Sequence, residues 1–412
     1  MASDTAPAFP QELINVIIAA VDDTRALKAC SLVSRGFCAP AQALLFEYFE
    51  LLPSSRSWQD DCLALASLDA LLATSPHISD HVRNLTIDAG GPNEGIPAWI
   101  TADELARVLL RFQNLVTVTL DSELQGARPA ESALDWSTLP EPARAALART
   151  LAQTTVTAVA LRGLCFSSLL ELHALLCPPA SGRPQLREMS LCNVNCSQAL
   201  LNGHQEESLN KLQLERLLLS TDDDEFVESL QSLVQVPCLQ RMQLVLRDKD
   251  CEEVMQSVFL LHTHALRQLN ITLEHQETET CNLALGHLKK LETLEIQLEL
   301  ITDFRVVDYH PGEWVATLLS SLVHSKCALA RLTLQIFVGP EHVQHPLEPN
   351  SLVSTLQPLV PLFHAWVAAQ FTPLLTIRVA SYNISEISTA KGAVLEVIGE
   401  LGLETKVELV QC

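Results

Sequence analysis

The chain has 412 residues and a formal net charge of −22 at neutral pH, with 48% hydrophobic but only 5% aromatic residues. That length exceeds one ordinary core and implies several domains or one elongated array, with an aliphatic interior of thin layers. The charge excludes nucleic acid and anionic membrane surfaces as partners, because both require clustered Lys and Arg.

Met1 to Pro10 has neither a basic n-region nor an apolar h-region, so no secretory signal is expected. The 12 cysteines form no Cys-x-x-Cys pair, and Cys192 and Cys196 are the closest two. Reduced, mostly buried thiols in a cytoplasmic or nuclear protein are implied by that usage. No stretch of about 18 apolar residues is available to span a membrane.

Residues 1–50 predict three short helices. Pro10 suits a first helical position, and Leu13, Ile14, Ile17 and Val21 recur at helical spacing. Asp22 or Asp23 is placed to cap a second helix bearing Leu27, Cys30 and Leu32. A third apolar segment holds Leu44, Leu45, Phe46 and Phe49. Three helices in about 40 residues scarcely bury a core alone, so this motif is expected to lean on a neighbour or a partner. Residues 51–81 then read as a linking helix that caps a repeat array starting at Val82.

From residue 82 to 412 the pattern apolar-x-x-apolar-x-apolar recurs ten times, beginning at Val82, Leu115, Val156, Leu186, Leu214, Leu239, Leu266, Leu291, Leu329 and Leu374. The central spacings, 28, 25, 27 and 25 residues, fall in or near the leucine-rich range, and the outer ones carry insertions. Alternation at the end of each motif makes a short strand with one face inward. Ala102–Gln113, Asp222–Val234, Asp248–Thr263 and Pro311–His324 read as amphipathic helices that return the chain to the next, parallel strand. The expected fold is therefore α/β: an N-terminal helical motif, then an irregular leucine-rich-repeat solenoid with parallel strands on its concave face and helices outside. The Asn or Cys that such repeats place three residues after the framework is missing; those positions hold, among others, Leu164, Val194, Asp222 and Arg247. An irregular arc without that ladder is expected, and ten strands about 4.8 Å apart make roughly 45 Å of sheet.

Alternate strand residues face away from the core, and that row carries Arg216, Arg241, Arg331 and Arg378 among Glu and Thr. Arginine forks there suit an acidic or phosphorylated protein segment, although solvent-facing strand positions are polar in any case. Insertions after four strands carry Trp99, Trp136, Tyr309 and His310, and loops of that length often form a recognition rim.

Chemistry is not legible. His262-Thr-His264 lacks a third metal ligand, and Asp222-Asp-Asp-Glu225 reads as acids at a helix N-terminus, so neither a metal nor a cofactor is expected. No Walker, dinucleotide or nucleophile-elbow motif occurs, and no Cys has an activating context. The chain reads as a binding protein without catalysis of its own.

The run Phe9-Pro10-x-Glu12-Leu13, then Leu27-Lys-Ala-Cys-Ser31-Leu32-Val33-Ser34-Arg35-x-Phe37, then Leu44-Leu45-Phe46 resembles the F-box-like motif of basidiomycete fungi. There it commonly precedes a leucine-rich or irregular repeat region. Phe9 replaces the usual Leu, Phe37 the usual Trp, and Ser34 a frequent Cys. The resemblance implies the substrate receptor of a Skp–cullin–F-box ubiquitin ligase. Phe9, Pro10, Leu13, Ile14, Leu32 and Val33 would contact the Skp adaptor, which leads to a cullin, and the repeat arc would hold an unknown protein substrate. The alternative is a repeat scaffold or inhibitor whose N-terminal helices only cap the solenoid. A GTPase-activating repeat protein is a further class, but no catalytic module or acidic tail accompanies this chain.

Overall fold

A computed structural model describes residues 9–52, 58–89, 100, 103–122, 133–177, 186–197, 210–221, 223–247, 249–274, 281, 283–300, 311–323, 325, 327–338, 353, 355–381, 392, 394, 395, 397 and 405–411. It divides into two compact units, one of Met1–Leu186 with Cys196–Gln198, the other of Arg187–Asn195 with Ala199–Cys412. The division falls inside the repeats, between the third and fourth expected strands, and not at residue 50 or 81.

The first unit opens with α1 (Gln11–Ala19), α2 (Thr24–Val33) and α3 (Arg35–Leu45). It continues through β1 (Tyr48–Leu51), α4 (Trp58–Thr74), α5 (Pro76–His81), β2 (Asn84–Asp88), α6 (Asp103–Arg111) and β3 (Thr117–Asp121). After β4 (Leu134–Asp135) come α7 (Glu141–Leu151), β5 (Ala158–Arg162), β6 (Leu164–Phe166) and α8 (Leu169–Leu176). β1, β2, β3 and β5 pair in that order, all parallel, and β4 pairs parallel with β6. The second unit holds β7 (Glu188–Cys192), and the two-residue β8 (Asn195–Cys196) that follows is split by the division; β9 (Arg216–Ser220), α9 (Asp224–Ser229), β10 (Arg241–Leu246) and α10 (Lys249–Val258) come next in the second unit. β11 (Gln268–Leu273), β12 (Thr293–Leu300), α11 (Pro311–Val323), β13 (Arg331–Val338), α12 (Leu359–Ala368), β14 (Leu374–Ser381) and β15 (Thr405–Gln411) complete it. Here β7 and β9 through β15 pair parallel in chain order. Both units are thus mixed α/β structures built on parallel strands.

All ten expected strands are present, and the pairing adds two. β1 matches Phe49 to Leu85 and Leu51 to Ile87, so Phe46-x-x-Phe49-x-Leu51 is a further copy of the motif. The repeats therefore begin at Phe46, and α4 with α5 is the first return, not a linker. Phe46 and Phe49, expected in the third helical segment, lie beyond it; Phe49 sits in β1 with its ring 5.7 Å from that of Phe112. β15 lies beyond β14 and pairs Thr405 with Leu375.

Twenty-nine of the thirty framework side chains are buried, which shows that the pattern marks the core. The exception is Leu374, 37% exposed, because it pairs with outward-facing Arg331 while Leu375 pairs with inward Leu332. The tenth motif is therefore shifted by two residues, with Thr372 in its first position. Three of the four expected helical returns match α6, α10 and α11, and the fourth ends early as α9 plus a 3-10 turn at Leu230–Ser232. Between β11 and β12 the described return holds no helix; Leu283, Leu285 and Leu288 fill that layer. The chain there passes so close to α11 that a Cβ at Gly286 would stand 2.7 Å from the Ser321 carbonyl oxygen.

The missing ladder is partly replaced one residue earlier. Ser122, buried just after β3, donates its hydroxyl to the carbonyls of Arg162 and Gly163 on the neighbouring turn. Thr221, equally placed after β9, donates to the Val194 carbonyl at 3.1 Å. The expected ladder positions Leu164 and Val194 are instead buried core.

On the helix side of the first unit, Arg107 and Arg111 of α6 both donate to Asp69 of α4, each at 2.8 Å. These two hydrogen bonds, Arg107 first, hold the Asp69 carboxyl below its ordinary value near 3.8. A carboxylate held down in the folded state stabilises above its unfolded value, and that contribution is lost as pH falls through the folded one. Stability of Asp69→Asn should therefore fall below wild type above about pH 4 and converge with it in more acid solution, as urea unfolding across that range will show.

Candidate docking surface

The N-terminal helices are organised by what α3 cannot do for itself. Pro40 lies inside α3 and has no N–H, so the Gly36 carbonyl one turn earlier loses its helical donor. The Gln11 side-chain amide of α1 donates to that carbonyl at 2.9 Å. Gly36 permits the approach, since a Cβ there would meet Gln11 Oε1 at 3.2 Å and Ile14 Cδ1 at 3.4 Å. Asp23 caps α2 by accepting from the Arg25 and Ala26 N–H groups at 3.0 and 3.1 Å. A small core results, made of Ile14, Ile18, Leu27 and Ala41 with Val21, Cys30, Phe37, Leu44 and Leu45 against it.

That arrangement settles which apolar residues remain outside. On α1, Ile14 and Ile18 point inward, leaving Leu13, Val16 and Ile17 exposed along the opposite stripe. Phe9 and Pro10 precede them, also exposed, and Leu32 and Val33 end α2 at 87% and 67% exposure. Ile14 is thus corrected: at 6% exposure it belongs to the module's own core and is not open to a partner. Ile17, part of the helical apolar spacing, is exposed as well, and Val16 is a surface residue that the sequence pattern does not single out. A helix apolar on both faces normally has both covered. Each of these side chains gains about 1.5–3 kcal/mol when fully buried.

The sheet face behaves differently. Arg216 and Arg241 both reach Glu188, at 3.5 and 3.2 Å, and Arg378 reaches Glu408 at 2.9 Å. Lys406 first, then Arg378, holds the Glu408 carboxyl below its usual value. Arg247 donates to Glu274 at 3.1 Å and to Asn193 at 2.8 Å. Arg331 is exposed and has no ion pair among the described residues. The expected acidic-segment cup is corrected accordingly: three of its four arginines are already engaged by neighbouring carboxylates. The rim reading also changes at Trp136, which is 4% exposed and lies 5.6 Å from the Phe166 ring, beneath β4. Trp99, Tyr309 and His310 lie outside the described residues.

His262 and His264 are exposed, and no group of three or more metal-ligating side chains occurs among the described residues. Asp223 caps α9 by accepting from the Phe226 N–H at 2.9 Å, the role expected of acids there. Burial pushes the Cys177 thiol up to about 11 and raises those of Cys281 and Cys327. Such thiols stay protonated at neutral pH. No helix of the described residues is long and apolar enough to cross a membrane. Comparison with protein-family models and with curated proteins found no match for the chain.

The inward and outward stripes of the module make opposite predictions. Ile14→Ala should cost about 2–4 kcal/mol as a core truncation, whereas Leu32→Asp should stay within about 0.5 kcal/mol of wild type. Chemical denaturation followed by circular dichroism distinguishes them, and equal losses would mean Leu32 is covered within the folded chain.

Proposed function

We propose that the chain is the substrate-receptor subunit of a Skp–cullin–F-box ubiquitin ligase. The N-terminal module docks on a Skp-type adaptor, and the leucine-rich-repeat-like strands hold a target protein. The carrying observation is the exposure of Phe9, Leu13, Leu32 and Val33 on a module that has a small core of its own. These are positions at which the motif resembles an F-box, and the outward stripe adds Val16 and Ile17. A few such anchors buried in a groove carry most of an interface's binding energy. In this reading the subunit works in the cytoplasm or nucleus, has no catalytic residue or cofactor, and reaches the cullin only through the adaptor. Target recognition on the sheet face would rely on hydroxyl and amide groups around Arg331, since the remaining arginines are neutralised at home.

A second reading, a repeat scaffold with a helical cap, is favoured by the way α3 contacts α5 and leads directly into β1. Capping accounts for α3 but leaves the outward face of α1 and the end of α2 uncovered.

Titration calorimetry of the full chain against purified fungal Skp adaptor tests the proposal. Wild type should bind, and Leu32→Asp should weaken binding by about tenfold or more with unfolding unchanged. A folded wild type that does not bind, or a Leu32→Asp protein that binds equally well, would leave the scaffold reading in place.

A further inference from the structure

At the first repeat, β1 hydrogen-bonds on one side only among the described residues. The Asn84 N–H donates to the Glu47 carbonyl at 2.9 Å, and Tyr48 pairs with Asn84. In a parallel ladder that phase turns the N–H and C=O of Phe49 toward β2. Tyr48 and Glu50 therefore turn theirs to the opposite edge, where no described strand pairs with them. Against that edge, between β1 and α4, is a cavity of about 250 Å³ with walls from Phe49, Leu51, Leu52, Ala64, Leu65 and Leu68. Its size falls below the roughly 300–1,000 Å³ of small-molecule sites and suits an aliphatic side chain.

Two further observations say what would sit there. α4 is apolar on both sides: Leu65 and Leu72 are buried, while Leu63 and Leu71 are 67% and 47% exposed. The charge at the edge is acidic. Glu50 is exposed without an ion pair among the described residues, and Asp61 lines the cavity.

We propose that the free edge of β1, with the cavity beside α4, is a strand-addition site for an extended segment of a partner protein that alternates aliphatic and basic side chains. The backbone of that segment completes the N–H and C=O groups of Tyr48 and Glu50. One aliphatic side chain enters the cavity, and a Lys or Arg stands across from Glu50, where opposite charges are favoured. A second copy of this chain fits poorly, since it would bring another Glu50 and a net charge of −22 to the same edge. The site is separate from the outward faces of α1 and α2 and does not rest on the ligase reading.

The test is fluorescence anisotropy of the full chain with a labelled heptapeptide, Lys-Val-Lys-Leu-Lys-Val-Lys, at about 0.3 M salt to suppress long-range attraction. Saturable binding is expected. Ala64→Trp, which fills the cavity from an exposed position, and Glu50→Lys should each weaken it about tenfold or more, while Leu32→Asp leaves it unchanged. A peptide N-methylated on alternate amides should not bind. The proposal is overturned if the unmodified peptide does not saturate, or if Ala64→Trp or N-methylation has no effect, which would leave charge attraction alone. Sedimentation showing a dimer abolished by Glu50→Lys would overturn it in favour of self-association.

Discussion

One aliphatic column holds the second unit together: Leu191, Leu219, Leu244, Ile271, Ile296, Leu334 and Ile377, each paired in register with the next. Every member is fully buried. A parallel strand gains nothing from its own neighbours in sequence, so each side chain in the column is covered only by those on adjacent strands and by the return above it. Register is consequently not negotiable. A slip of one residue would carry the whole inward set to the polar face. The variable returns, helical or not, are tolerated because the column sets the spacing and the return need only fill the layer over it.

The same constraint explains how much is legible in the sequence. Nine motifs can be located because their first, fourth and sixth residues are apolar and nothing competes with them. At the tenth motif the register Leu374, Ile377, Val379 is apolar throughout and fits the pattern better than the true one, Thr372, Leu375, Ile377; only pairing with Arg331 and Leu332 decides between them. β15 is hidden because Thr405 occupies a framework position. β1 does carry the pattern, but Phe46 and Phe49 also continue a helical spacing, and three turns of helix precede them. Sequence periodicity cannot arbitrate where both periods fit.

The candidate docking surface is less readable. Leu13, Ile14, Val16, Ile17 and Ile18 make α1 apolar nearly all round, so the sequence cannot say which stripe faces in. The choice is made far along the chain, by Gly36 and the carbonyl that Pro40 leaves without a donor. Trp136 shows the reverse case. A segment rich in polar residues and proline reads as a projecting loop, yet its end forms β4 and buries the indole on Phe166. The arginine row is visible as composition, but its neutralisation depends on which carboxylate stands one or two strands away.

Glu188 illustrates what that dependence costs. Arg216 and Arg241 are direct cross-strand neighbours, an arrangement that like charges disfavour, and one carboxylate on the next strand serves both. Loss of either arginine would leave a balanced pair, whereas loss of Glu188 would leave two adjacent guanidinium groups on an otherwise acidic molecule. A single codon therefore separates a self-satisfied cluster from an unneutralised pair of arginines, and the repeat framework beneath would be untouched by the change. The charge pattern of this face can thus change by single substitutions while the fold stays fixed.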